Sequence, residues 1–185
     1  MFGGFALRVI SGSARGKKLL CATGDDIRPT LDRVKESIFN MIAFNISDAT
    51  VLDLFCGSGA LGIEALSRGA KHAHFIDNNK ASLNITKKNL DATRLNDNAT
   101  VILSDALDFV KTTTQKFDII FLDPPYASDI YGKILKEILR RNLLTPSGLI
   151  VVEADKVLTP PFDYSPFELF REKNYGRVKI LIMKE

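Results

Sequence analysis

At 185 residues, 45% hydrophobic and 25% charged, the chain has the size and composition of one globular domain with room for a small appendage, which excludes a disordered polypeptide. Its longest apolar runs, such as Ile119–Leu122 and Leu149–Val152, are too short for a membrane span, and Met1–Phe5 lacks the basic start and apolar core of a signal peptide. Two cysteines, Cys21 and Cys56, without metal-ligand spacing or a disulfide framework, fit a cytoplasmic protein with no metal site, and a net charge of +3 suits an anionic partner.

The chain divides at about residue 46. Leu7, Val9 and Ile10, then Ser11-Gly-Ser-Ala-Arg-Gly16 and Lys17-Lys-Leu-Leu20, predict a β-hairpin around a Gly/Ser turn. Arg28-Pro-Thr30 leads into a helix with Thr30 as its N-cap, Asp32 in the first turn, and Leu31, Val34, Ile38 and Met41 on one face. Positive charge concentrates here: Arg8, Arg15, Lys17, Lys18, Arg28, Arg33 and Lys35 face only Asp25, Asp26 and Asp32 before residue 36. A basic segment on a near-neutral body suggests contact with a polyanion, or else a solvated edge with no partner.

From residue 47 to 185 strands alternate with helices. Val51–Phe55, Ala73–Ile76, Thr100–Leu103, Phe117–Leu122 and Leu149–Val152 read as strands of a covered parallel sheet. Helices are predicted near 59–68, 79–93, 105–112 and 130–141, the last with Tyr131, Ile134, Leu135, Ile138 and Leu139 at helical spacing. Asn78 or Asn79 is suited to cap the second of these helices. The pattern gives an α/β, doubly wound, mostly parallel Rossmann-like sheet. After a proline-rich loop, Phe167–Glu172 and Val178–Met183 form a closing antiparallel hairpin, an unusual end for a plain dinucleotide-binding fold.

The first strand runs into Asp53-Leu-Phe-Cys-Gly-Ser-Gly59, a strand, tight loop and helix start. Gly57 to Gly62 satisfies G-x-G-x-x-G, and Asp77 follows Gly57 by 20 residues, so a nicotinamide or flavin site is one reading. Asp53 favours another. A carboxylate four residues ahead of Gly57 would repel a pyrophosphate at the helix N-terminus, whereas the α-ammonium and sulfonium of S-adenosylmethionine would be attracted. Asp53 could also serve only to bond loop amides. Asp77 can accept ribose hydroxyls in either cofactor's site, and Asp105 can accept an adenine amino group or simply cap a helix.

Asp123-Pro-Pro-Tyr126 stands where a parallel α/β sheet binds ligands, directly after the strand Phe117–Leu122. A ring amino group is a poor nucleophile, because its lone pair is delocalised. Two acceptors on its N–H bonds, Asp123 Oδ and the carbonyl of Pro124, can orient that lone pair toward a methyl donor. The consecutive prolines hold the backbone extended and offer no amide to a helix. Tyr126 gives the base a ring to stack on, worth about 1–3 kcal/mol. Thr159-Pro-Pro-Phe162 lacks the acid and the strand, and reads as loop alone.

Asp53-Leu-Phe-Cys-Gly-Ser-Gly59 and Asp123-Pro-Pro-Tyr126 resemble two motifs of the amino-group methyltransferases. Together with Arg8-Val-Ile-Ser-Gly-Ser-Ala-Arg-Gly-Lys17 and Arg28-Pro-Thr-Leu-Asp-Arg-Val-Lys-Glu-Ser-Ile-Phe-Asn40, they make the chain similar to the bacterial small-subunit ribosomal RNA guanine-N2 methyltransferase family, from Arg8 to Arg177. The N-terminal motifs are the more family-specific part. The resemblance implies a seven-stranded sheet, S-adenosylmethionine as cofactor, and a small-subunit assembly particle as the partner of a monomeric enzyme. It implies that Asp53, Phe55, Gly57, Ser58, Gly59, Asp77, Asn78, Asp105 and Ala106 hold the cofactor, with Arg28 and Thr30 at its methionine end. Asp123, Pro124, Pro125 and Tyr126 would hold the base, and Arg15, Lys17, Lys18 and Arg33 would touch RNA. An adenine-N6 methyltransferase, a nicotinamide oxidoreductase and a non-catalytic RNA-binding module are the other classes. Only about 45 N-terminal residues could read a DNA duplex, which favours structured RNA.

Overall fold

A computed structural model describes residues 7–21, 29–124, 130–156 and 163–185, with residues 29–31 described by backbone alone. Seven strands form one sheet: β1 (Thr50–Leu54), β2 (His72–Asp77), β3 (Ala99–Leu103), β4 (Phe117–Leu122), β5 (Leu144–Asp155), β6 (Glu168–Tyr175) and β7 (Val178–Lys184). Their order is β3-β2-β1-β4-β5-β7-β6, parallel through β5 and antiparallel where β7 joins β5 and β6 joins β7. The expected closing hairpin is therefore present, and it turns at Gly176, which takes φ 58°.

Alternation along the strands sorts side chains onto two faces. Val51, Phe75, Ile119, Phe121, Val151, Ile180 and Ile182 pack in one core; Leu52, Leu54, Ile76, Ile120, Leu122, Val152 and Leu181 pack in the other. The first core is covered by α1 (Pro29–Met41), α2 (Ala60–Ser67) and α3 (Lys80–Thr93), the second by α4 (Ala106–Thr112) and α5 (Ile130–Arg140). The strand order reverses between β1 and β4, and a crevice opens at the carboxyl ends of such neighbours. Among the described residues no helix is long and apolar enough to cross a membrane.

One expectation for the N-terminal segment needs correction. Helix α1 begins at Pro29, so Thr30 lies in the first turn and is not the N-cap; proline suits this end because its missing amide would be unbonded anyway. The expected hairpin is present: Val9 N donates to Lys17 O, Gly16 N to Val9 O and Leu19 N to Leu7 O, with Arg8 bridged antiparallel to Lys18, while the amides of its turn bond the body. Ile10 N and Ser11 N donate to the two carboxylate oxygens of Glu64 at 2.8 and 3.0 Å, and Ser13 N donates to Ser67 O at 2.7 Å. Gly12 lies so close to α2 that a Cβ would meet the Ser67 carbonyl oxygen at 1.8 Å.

Glu64 is fully buried and also faces Lys35 Nζ at 3.2 Å and Arg68 Nε at 2.7 Å. It is the ionic centre that fastens the basic segment to the sheet. Burial holds the Lys35 ammonium below its ordinary pKa, and Glu64 opposes that shift.

Candidate active site

The glycine loop is a strained turn between β1 and α2. Phe55, Gly57 and Gly59 take φ values of 62°, 55° and 78°, and the last two positions suit glycine alone among common choices. A Cβ on Gly59 would meet Thr86 Cγ2 at 2.8 Å, whereas one on Gly57 would meet nothing nearer than 4.0 Å. The loop thus packs tightly through Gly59 and leaves open space at Gly57. Two α3 residues that the sequence reading passed over brace it from below: Thr86 Oγ1 donates to Gly57 O at 2.9 Å, and Asn89 Nδ2 donates to Ser58 O at 2.8 Å. Asn89 also exchanges hydrogen bonds with the backbone of Leu20, so it ties the basic segment to the loop.

Four carboxylates line the carboxyl ends of adjacent strands, all on the face covered by α1. Asp77 ends β2, Asp53 lies in β1, Asp123 follows β4, and Glu153 lies in β5. Asp53 is 2% exposed, and its Oδ2 accepts from Gly62 N at 2.9 Å, the loop-bonding role that was one of its two expected readings. Asp77 accepts from Gly57 N at 2.9 Å through one oxygen and from Asn79 N at 2.8 Å through the other. Each of those oxygens keeps a second lone pair for a ligand hydroxyl.

Burial raises the carboxyl of Asp53 to about 7, with the charges of Asp123 and Asp77 adding to it and the Gly62 bond opposing. Burial also raises Asp123 to about 7 and Glu153 to about 8, where the neighbouring Asp123 contributes. Asp123 keeps an exposed face toward the crevice, which moderates its elevation; the upward direction is what matters for the chemistry. A ligand cation placed among these acids would reverse the trend.

Around this row the other candidates divide. Asp105 caps α4, accepting from Leu107 N at 2.8 Å and Asp108 N at 3.2 Å, while its side chain stays exposed; Ala106 behind it is buried. Asn79, not the exposed Asn78, caps α3 by accepting from Ala81 N at 2.8 Å. Pro124 is buried behind Asp123. Arg15, Lys17, Lys18 and Arg33 are all exposed. Arg28, Pro125 and Tyr126, the side chain of Thr30, and the Thr159–Phe162 loop lie outside the described residues.

Two further residues escaped the sequence reading. Leu103, 57% exposed at the end of β3, pairs with Asp77 and presents apolar surface beside the cofactor candidates. Glu153 stands next to Asp123; an acid inside an apolar run, Val151-Val-Glu-Ala154, was the available signal. The histidines and the loop cysteine have structural roles. His72 bonds Thr100 Oγ1 at 2.8 Å, His74 packs edge-on against Phe117, and burial pushes the Cys56 thiol far up.

Comparison with known proteins gives the family and the fold. A family model described as Conserved hypothetical protein 95 matches residues 7–184. The chain is 40% identical over 177 residues to a Haemophilus influenzae protein named Ribosomal RNA small subunit methyltransferase D, covering 93% of this chain and 90% of that one. The solved Escherichia coli protein yhhF is 37% identical and superposes with a TM-score of 0.85 over 95% of this chain and 96% of its own. A methyltransferase solved with SAH, SMU.776, is 21% identical with a TM-score of 0.68 over 83% of this chain, and shares the fold.

Proposed function

The chain belongs to the family described as Conserved hypothetical protein 95, that of the ribosomal RNA small subunit methyltransferase D proteins, and from that premise we propose that it methylates guanine N2 in small-subunit ribosomal RNA. The observation that carries the reading is Asp123: a carboxylate at the switch point of the sheet, open to the crevice and bonded to no donor among the described residues. Residues 47–185 form the catalytic domain, residues 1–46 contact RNA, and the enzyme acts as a monomer.

The site fits S-adenosylmethionine better than a dinucleotide. A row of carboxylates beside the loop attracts a cation and repels a pyrophosphate. When bound, S-adenosylmethionine supplies an electrophilic methyl group on a sulfonium. Open space at Gly57 admits the ligand backbone, Asp77 accepts ribose hydroxyls, Asp105 accepts the adenine amino group, and Leu103 covers the adenine ring. Asp53 offers its second oxygen to the α-ammonium, with Phe55, Ser58, Gly59, Asn78, Ala106, Arg28 and Thr30 completing the surround.

Asp123 and the Pro124 carbonyl accept the two hydrogens of the target amino group and aim its lone pair, while Pro125 and Tyr126 shape and stack the base. With S-adenosylmethionine bound, its methyl group would pass from sulfur to the amino nitrogen held by Asp123 and Pro124, and that nitrogen would shed one proton. A carboxyl raised toward neutrality, as in Asp123, can take it up.

Support for an RNA partner comes from a groove of about 360 Å³ between α1 and β6, whose lining sets Arg33, Arg171 and Lys173 against the one acid Glu36. Its floor is closed by the hydrogen bond between Ser37 and Tyr175. Arg15, Lys17 and Lys18, exposed on the N-terminal segment, are further candidates for phosphate contact.

Labelled methyl groups should pass from S-adenosylmethionine to small ribosomal particles with the wild type. Asp123→Ala should lower that rate at least about 100-fold, the scale of losing an oriented acceptor, with cofactor affinity within a few-fold of wild type. Transfer by the variant at the wild-type rate would remove the reading.

A further inference from the structure

We propose that Glu153 is a base-specificity residue: it accepts the N1–H of the target guanine and excludes adenine. The inference rests on the guanine-N2 reading of the site.

The register of the sheet sets the position. Leu122 pairs with Val152 in the parallel β4–β5 ladder, so the next residues, Asp123 and Glu153, lie side by side about 4.8 Å apart in backbone. Their faces agree, because Phe121 and Val151 share one core while Leu122 and Val152 share the other. Glu153 is also held rigidly. It is paired with Ile180 of β7 on its other side, and its carbonyl accepts from Tyr131 Oη at 3.1 Å.

Glu153 differs from Glu64, Asp118 and Asp155 in having no structural task for its side chain. Glu64 binds two amides, Lys35 and Arg68; Asp118 accepts from Thr50 N and Thr145 Oγ1; Asp155 pairs with Arg177. Glu153 is half-buried beside a second carboxylate and is bonded to no donor among the described residues. Such placement costs stability unless a ligand supplies the donor.

Guanine supplies it. Its pairing edge carries the N2 amino group and, next to it, N1–H, both donors. With N2 held at Asp123, N1–H falls toward the neighbouring strand and Glu153. Adenine also presents an amino group to Asp123, but the adjacent N1 is a lone pair. With Glu153 ionised, the form that a bound cofactor's positive charge favours, that lone pair would face a carboxylate oxygen with no hydrogen between them.

The test uses small-subunit RNA, reconstituted into particles, with guanine, 2-aminopurine or adenine at the position first mapped as methylated. 2-Aminopurine keeps the 2-amino group and lacks N1–H. Wild type should prefer guanine over 2-aminopurine by about 100-fold or more in kcat/KM, the penalty of an unmade buried hydrogen bond. E153Q, whose amide can donate to N1, should lose rate on guanine and narrow that preference to within about ten-fold. Its melting temperature should not fall, whereas a merely structural role would predict a loss of stability. Equal use of guanine and 2-aminopurine by wild type overturns the proposal, as does an unchanged preference in E153Q. If wild type makes methyladenosine and no methylguanosine, the functional reading falls and this inference with it.

Discussion

Burial raises the carboxyls of Asp53 and Asp123, that of Asp53 to about 7. Their folded pKa values exceed the ordinary carboxylate value, so the stability they contribute is complete below about pH 4 and is lost as pH rises through about 7. A bound cation reverses this by favouring the ionised form. S-adenosylmethionine affinity should therefore rise with pH up to about 7 and level off above it, in calorimetric titrations from pH 5.5 to 8.5. S-adenosylhomocysteine lacks the sulfonium charge and should show a shallower rise. Equal pH profiles for the two ligands would mean that the acids do not sense the sulfonium. Asp53 illustrates what sequence could offer here: its type and place were legible, while its bond to Gly62 N depended on how tightly α2 closes on β1.

The basic segment and the glycine loop are coupled through the elements between them. Glu64 in α2 binds the segment's amides and Lys35 of α1, and Asn89 in α3 links Leu20 with Ser58. Glu64→Ala would strand a buried ammonium and two amides, so it should cost about 3–5 kcal/mol in denaturant unfolding. A loss below about 1 kcal/mol would show that the ion cluster does not fasten the segment. The groove along α1 and β6 makes a separate claim. Replacing Arg33, Arg171 and Lys173 with alanine should flatten the salt dependence of RNA binding by about three phosphate contacts and leave cofactor affinity unchanged. An unchanged salt slope would return those side chains to the role of a solvated edge.

For the whole molecule, local patterning carried most of the fold. Covered parallel strands read as apolar runs, and helices α2 to α5 matched their periodicity, because burial on both faces imposes those patterns. The pattern was silent where bonding is non-local. Residues 7–20 form the hairpin that their pattern predicts, yet nothing local announces that the amides of its turn bond Glu64 and Ser67, more than fifty positions away. Strand β5 begins at Leu144, before its apolar run, because an irregular register between Phe117 and Ile119 admits Thr145–Gly148. Likewise Asp53, Asp77 and Asp123 could be chosen by motif, while Glu153 became visible only when strand order set it beside Asp123. The acid row is thus a product of topology, and it supports methyl transfer better than hydride transfer.

That choice is best tried by following a labelled methyl group. Purified protein, labelled S-adenosylmethionine and small ribosomal particles lacking the modification are incubated beside naked RNA and DNA, and the products are digested to nucleosides. Label in N2-methylguanosine from the particles is the predicted result. Label in methyladenosine, in DNA alone, or nowhere while a nicotinamide cofactor binds, would contradict it.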